Sequence, residues 1–208
     1  MWVSGVAVLG VLAFVLFRGG GGLGGPDNTI PQFDFKVTKA IPMVVTQNDP
    51  NQFTGQAQAV ATEVTKTMTA LYTGAFLDPE NWRSGSYGDV WPLFDDGSRT
   101  SAQQDGATIT LGPNAGDTYE KVKQPKGTIG VKVLLDKQDR PSTAVAIVKF
   151  TALGTGKDGT FTRIVSRGQY FLRLADGGWT VYAFQVRRGD HVTTPKPGPS
   201  GSSSEVAP

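Results

Sequence analysis

The feature that most constrains this chain is a change in hydrophobic period along its length. Between residues 53 and 72 apolar side chains recur three and four positions apart, at Phe53, Ala57, Val60, Ala61, Val64, Met68, Leu71 and Tyr72. That is the spacing of one face of an α-helix. Gln56, Gln58, Thr62, Glu63 and Lys66 fall on the opposite face. Asp49-Pro50 supplies an N-cap with proline in the first turn, and Gly74 and Pro79 bracket the end. From residue 107 onward the period is two. Ile129, Val131, Val133 and Leu135 alternate, as do Ala144, Ala146, Val148 and Phe150. Residues 160–174 and 179–188 read as two more strands joined by the hairpin signal Ala175-Asp176-Gly177-Gly178. A helix with one apolar stripe and a sheet with one apolar face each need cover, and packing one on the other buries both. The expected fold is therefore α+β, a long helix packed on a curved antiparallel sheet.

Shorter elements fill the remainder. Residues 33–45 read as extended, with Phe33, Phe35 and Val37 alternating and Pro42 confining the segment to a sheet edge or a bulge. An aromatic stretch, Trp82, Tyr87, Trp91 and Phe94, ends in the turn Asp95-Asp96-Gly97, and residues 98–104 read as a short helix. Ile109 and Leu111 read as a short strand. Tyr170, Leu172 and Leu174 are expected on one face of their strand, and Trp179, Val181 and Ala183 on one face of the next.

The N-terminal segment WVSGVAVLGVLAFVLF, residues 2–17, carries no charge. As a helix it would cover roughly 24 Å of a hydrocarbon core about 30 Å thick, with Trp2 suited to an interface. It lacks the basic leader and small-x-small cleavage site of a signal peptide. The expected organisation is a transmembrane anchor at 1–18, a Gly-rich linker at 19–32, a soluble α+β domain at 33–192 and a disordered Pro/Ser-rich tail at 193–208. The tail suggests that the domain lies outside the cytoplasm, although Arg18 after the apolar segment argues the other way.

Charge is uneven. Residues 19–117 hold five Lys/Arg against eleven Asp/Glu, net −6, whereas residues 118–192 hold thirteen against six, net +7. Such asymmetry points to a dipolar domain or to a basic partner surface. The chain has no cysteine and one histidine, which removes disulfides, thiolate metal sites, a cysteine nucleophile and multi-histidine metal centres. No cofactor or metal is expected. The glycine run before Pro26 is not a phosphate loop, because no strand, lysine or helix frames it.

The order of elements, together with Gly177, Gly178, Trp179 and Val181 at the start of the last strand, resembles the cone-shaped nuclear-transport-factor-like fold of the cystatin-like α+β group. The resemblance covers roughly residues 50–189. With an N-terminal anchor added, the chain resembles two groups, the actinobacterial Mce-associated membrane proteins and the assembly factors of type IV secretion and conjugation machines. Both resemblances imply a domain outside the cytoplasmic membrane that serves protein contacts. The aromatic stretch at 82–94 and the short leader depart from both.

Enzymes of that fold use an Asp, His or Tyr inside the cone, so Tyr87 and Asp89 are candidates for its mouth. Trp82, Tyr87, Trp91 and Phe94 either wall an apolar ligand pocket or cap the core. Arg163, Arg167, Arg173, Arg187 and Arg188 either form a basic strand face for an acidic protein or anionic headgroups, or are a solvated sheet face. Asp95 and Asp96 read as turn residues, and Asp190-His191 as a surface pair after the last strand. No catalytic residue is assigned, and no nucleic-acid motif accompanies the arginines. The expected function is a non-catalytic, membrane-tethered interaction domain assisting an envelope transport or secretion assembly. Its expected partners are the lipid bilayer through residues 2–17, membrane or envelope proteins, and a second copy of the chain. A ligand-binding or enzymatic cone and a cell-surface structural protein are the alternatives.

Overall fold

A computed structural model describes residues 28–193, Asp176 excepted. The expected anchor at 1–18, most of the linker, the tail beyond residue 193 and the centre of the last hairpin turn lie outside the described residues. Among the described residues no helix is long and apolar enough to cross a membrane.

The first element of the described residues is strand β1 (Lys36–Met43). A turn of tight helix at Pro50–Phe53 leads into α1 (Thr54–Tyr72). The Asp49 carboxylate accepts the backbone N–H of Asn51, so the expected cap closes this tight turn, while α1 itself starts after Phe53 without a side-chain cap. Helix α1 buries Ala57, Val60, Ala61, Val64, Met68, Leu71 and Tyr72, the face set by its sequence period. Its end differs from the expectation. Gly74 does not stop the helix; the backbone widens over Thr73–Leu77, with the Asp78 N–H bonding the Thr73 carbonyl. The widening exposes carbonyls that other groups use: Gly74 O accepts from Asn81 Nδ2, and Ala75 O from the Leu111 N–H. Turns of this kind relieve the regular ladder at one point.

Four short helices follow, α2 (Pro79–Ser84), α3 (Asp96–Gln104), α4 (Gly106–Ile109) and α5 (Ala115–Thr118). The expected strand at Ile109 and Leu111 is absent. Both side chains are buried, but the backbone around Ile109 is helical and no strand pairs with it. Two buried positions two apart fit a helical turn entering the core as well as a strand.

Strands β2 (Tyr119–Leu135), β3 (Pro141–Gly156), β4 (Phe161–Ala175) and β5 (Gly178–Arg188) form an antiparallel meander in that order. Strand β1 sits on the edge against β2, as Pro42 requires, but pairs with it in parallel. A parallel neighbour needs a long crossover, and the helices between β1 and β2 supply it. A short β6 (His191–Thr193) returns to pair with β4, so His191 belongs to the sheet rather than following it.

The inner face of the sheet carries Ile129, Val131, Val133, Ala144, Ala146, Val148, Phe150, Tyr170 and Leu172, all buried against α1 and the short helices. Trp179 and Val181 join them; Ala183 does not. Leu172 pairs with Val181 and Phe171 with Ala183, which leaves Tyr182 as an extra residue. Such a bulge reverses the alternation beyond it. Phe184 and Val186 therefore face the core, and Ala183 is on the far side. Leu174, expected inside with Tyr170, is 54% exposed beside the turn of the hairpin, opposite Trp179. Gly168 marks the closest approach of β4 to β5, where a Cβ would come within 2.1 Å of the Gln185 carbonyl oxygen.

Candidate functional site: the two faces of the sheet

The concave side of the sheet is packed with aromatic side chains. Tyr72, Phe76 and Phe150 form a cluster with centroid separations of 5.1 to 5.3 Å, and Phe35 and Phe33 close it edge-on. A cluster of polar groups is sealed within. The Tyr72 and Ser166 hydroxyls are 2.9 Å apart, and the Tyr170 hydroxyl donates to Tyr72 Oη at 3.5 Å. Burial pushes the Tyr72 phenol up to about 12, against the lowering effect of its hydrogen bonds to Ser166 and Tyr170. Burial likewise raises Tyr170 well above the usual tyrosine range. These phenols are held neutral, and the buried polar residues accompanying them are Asn81, Ser98, Thr110, Thr162 and Ser166, with no carboxylate or imidazole among the described ones. Little in the residue pattern marks this cluster: Ser166 continues the inner alternation of Thr162 and Ile164, and Tyr72 ends the apolar stripe of α1.

The aromatic candidates of the 82–94 stretch serve packing. Trp82 is buried in α2, with the Arg83 guanidinium 4.9 Å from the ring centroid. Its indole N–H has no partner among the described residues. Tyr87 is buried and donates to the Gly112 carbonyl at 2.8 Å; desolvation raises its phenol. Phe94 is buried and lies edge-on to Phe184, while Trp91 is half-buried between Tyr87 and Phe94. Asp89 is exposed, so it does not share a pocket with Tyr87.

Asp95 and Asp96 open α3 rather than form a free turn. Asp95 accepts the Ser98 N–H and pairs with Arg173 at 2.7 Å, whereas exposed Asp96 pairs with Arg99 at 3.1 Å. The Asp95–Arg173 pair links residues far apart in the chain and was not foreseeable from local spacing. A shallow concavity of about 260 Å³ lies between α1 and the last hairpin, lined by Glu63, Lys66, Leu93 and Trp179 among others.

The outer face carries the arginines. Strand register places Lys36, Thr128, Lys149, Arg167 and Arg187 in one row across β1 to β5. A second row runs Lys123, Leu153, Arg163 and His191, and a third Lys132, Val145, Phe171 and Ala183. Glu120 is the sole acidic residue on any described strand. Lys149, Arg163, Arg167 and Arg187 are exposed and make no side-chain hydrogen bond or ion pair among the described residues. An open groove of about 790 Å³ crosses this region, lined by Val165, Arg167, Gln169, Gln185, Arg187 and His191 among others.

Two of the five arginines do not join the unpaired face. Arg173 is held by Asp95. Arg188 alternates with Arg187 and so turns to the inner side, where it binds the Asp190 carboxylate and the carbonyls of Ala107 (3.2 Å) and Thr110 (2.7 Å). Asp190 is thereby taken by Arg188 rather than by its neighbour His191, which stands opposite Arg163.

No protein-family model matches the chain, and neither does any curated protein. Two solved structures are similar to it. One, from Novosphingobium aromaticivorans and described as an aromatic ring hydroxylase by assignment only, is 12% identical, with 65% of this chain and 94% of that one covered and a TM-score of 0.41. The other, a hexachlorocyclohexane dehydrochlorinase of type 2, is 9% identical, with 74% and 99% covered and a TM-score of 0.44.

Proposed function

We propose that this chain is a non-catalytic, membrane-tethered interaction domain of the nuclear-transport-factor-like fold that assists an envelope transport or secretion assembly. The observation that carries the non-catalytic reading is the aromatic-packed interior, with neutral phenols as its buried ionisable groups among the described residues. General acid–base chemistry needs an ionisable group beside space for a substrate, with a pKa tuned toward the working pH. Inside this sheet, buried phenols with raised pKa values are packed against aromatic rings. What the fold offers to partners is its exterior, where an acid-poor sheet face backs onto a helical layer rich in carboxylates. The uncharged segment at residues 2–17 supports the tether.

Membrane fractionation of cells expressing the full chain tests the tether. The full-length protein is expected to stay with membranes through a high-salt wash and to be released by detergent. Recovery of a soluble form lacking residues 2–17 from untreated cells would overturn the tethered reading. Affinity capture from the detergent extract should then return envelope proteins in constant proportion to the bait, and recovery of the bait alone would count against the assembly role.

A further inference from the structure

The outer sheet face has a pattern that the interaction reading alone does not explain. Its cations are spread over successive rows of the sheet, not gathered around one centre. Lys149, Arg167 and Arg187 stand directly opposite one another on three neighbouring strands, an arrangement that is unfavourable without a counter-charge. The described strands bring one carboxylate, Glu120, to offset them. Phe161 and Tyr182 are exposed on the outer side of the same sheet, and the Tyr182 ring lies 6.3 Å from Phe171. Aromatic rings among cations suit the boundary between water and lipid.

We infer that this face lies on an anionic lipid leaflet, with the helical layer turned away from the membrane. The inference rests on the membrane-tethered reading above. Charge complementarity selects the occupant: a field of dispersed cations matches a surface whose negative charge is itself dispersed and mobile. The length of chain agrees. Ten residues, 18–27, separate the apolar segment from Asn28, and they span at most about 35 Å. A domain held that close meets the leaflet at high effective concentration, so weak individual contacts suffice. Each Lys or Arg near an anionic leaflet favours association by roughly fivefold, an effect confined to about a Debye length. A second copy bound through the same face would oppose cation to cation, so it is not the occupant.

The test uses the full chain in lipid nanodiscs, with lysine acetylation read by mass spectrometry. One set of discs contains phosphatidylcholine alone; the other adds phosphatidylglycerol. At about 0.1 M salt, labelling of Lys36, Lys149 and Lys126, which pairs with Thr151 on the same face, is expected to fall several-fold in the anionic discs, while Lys66 on α1 labels equally in both. Raising salt to about 1 M should restore labelling while the protein stays with the discs. The combined variant Lys149→Gln, Arg167→Gln, Arg187→Gln should lose most of the protection at Lys36 and Lys126. Equal labelling in the two disc types overturns the inference and points to an acidic protein as the occupant. Loss of the chain from both disc types at high salt overturns the tether instead, so the two failures are distinguishable.

Discussion

Consecutive residues of β3 set the two faces of the sheet side by side. Val148 and Phe150 are buried, and the Phe150 ring packs among Phe33, Tyr72 and Phe76. Lys149 between them is exposed, with a cation opposite it on β4. The inner face is organised by shape and by satisfied hydrogen bonds, and stability is concentrated there. The outer face places like charges in register, which contributes little to folding and something unfavourable at low salt. One strand thus serves stability on one side and availability for a partner on the other.

The largest expected contrast is between these neighbours. Phe150→Ala should cost about 3–5 kcal/mol of unfolding free energy, whereas Lys149→Ala should fall within about 0.5 kcal/mol of the parent. Trp179→Ala should behave like Phe150→Ala, because Trp179 is buried where the last hairpin meets α1. Urea denaturation of the purified chain measures all three. Similar losses at 149 and 150 would show that the faces are not separated as described.

A smaller effect comes from the buried phenols. In the folded chain Tyr72 keeps its proton to about pH 12, against an ordinary value near 10. Below pH 10 both folded and unfolded forms are protonated and the full stability is present. Between pH 10 and 12 the unfolded form loses its proton first, so stability falls as pH rises, by at most about 3 kcal/mol. Tyr72→Phe removes that contribution while leaving that of Tyr170. The stability gap between parent and variant should therefore narrow, or change sign, across this range. Parallel curves up to pH 12 would show that Tyr72 is not sealed from water.

The smallest effect belongs to the outer face. Arg167→Gln relieves repulsion from Lys149 and Arg187 and should raise stability by up to about 0.5 kcal/mol at low salt, with no gain near 1 M salt. A loss of stability, or a gain indifferent to salt, would mean that Arg167 has a structural partner.

Local pattern accounted for most of the fold. The face of α1, the Asp49 cap of the turn that leads into it, the four long strands and the edge position of the Pro42 segment all follow from periodicity and turn chemistry within short windows. The misreadings share a cause: each depended on what lay across the sheet or beneath a turn. Ile109 and Leu111 are buried, but Ile109 closes a helical turn and Leu111 follows it, since burial at alternate positions does not choose between the two backbones. The helix widens at Gly74 instead of ending there, because Asn81 Nδ2 and the Leu111 N–H donate to the freed carbonyls of Gly74 and Ala75.

Of the candidate residues, the arginines were named as a group from composition and spacing, but their division was not visible there. Alternation separates Arg187 from Arg188, while the Asp95 and Asp190 carboxylates that engage Arg173 and Arg188 are fixed by loop and helix ends. The aromatic stretch left pocket and core cap open in the sequence, because a ring in a short irregular segment carries no periodic signal for which side it faces. Packing places Trp82, Tyr87 and Phe94 inside.

By itself, the sequence determined that a helix with one apolar stripe meets a sheet with one apolar face, and that the strands hold nearly all their charge as cations. Those properties depend on side-chain period and residue type alone. Register was decided only in the tertiary structure. The extra residue at Tyr182 moves Phe184 and Val186 inward, and pairing across β3, β4 and β5 sets Lys149, Arg167 and Arg187 in one line. Period two leaves each strand free to slide by two residues without changing its buried face. Neighbouring strands, bulges and the close approach at Gly168 remove that freedom, and the cation row exists because they do.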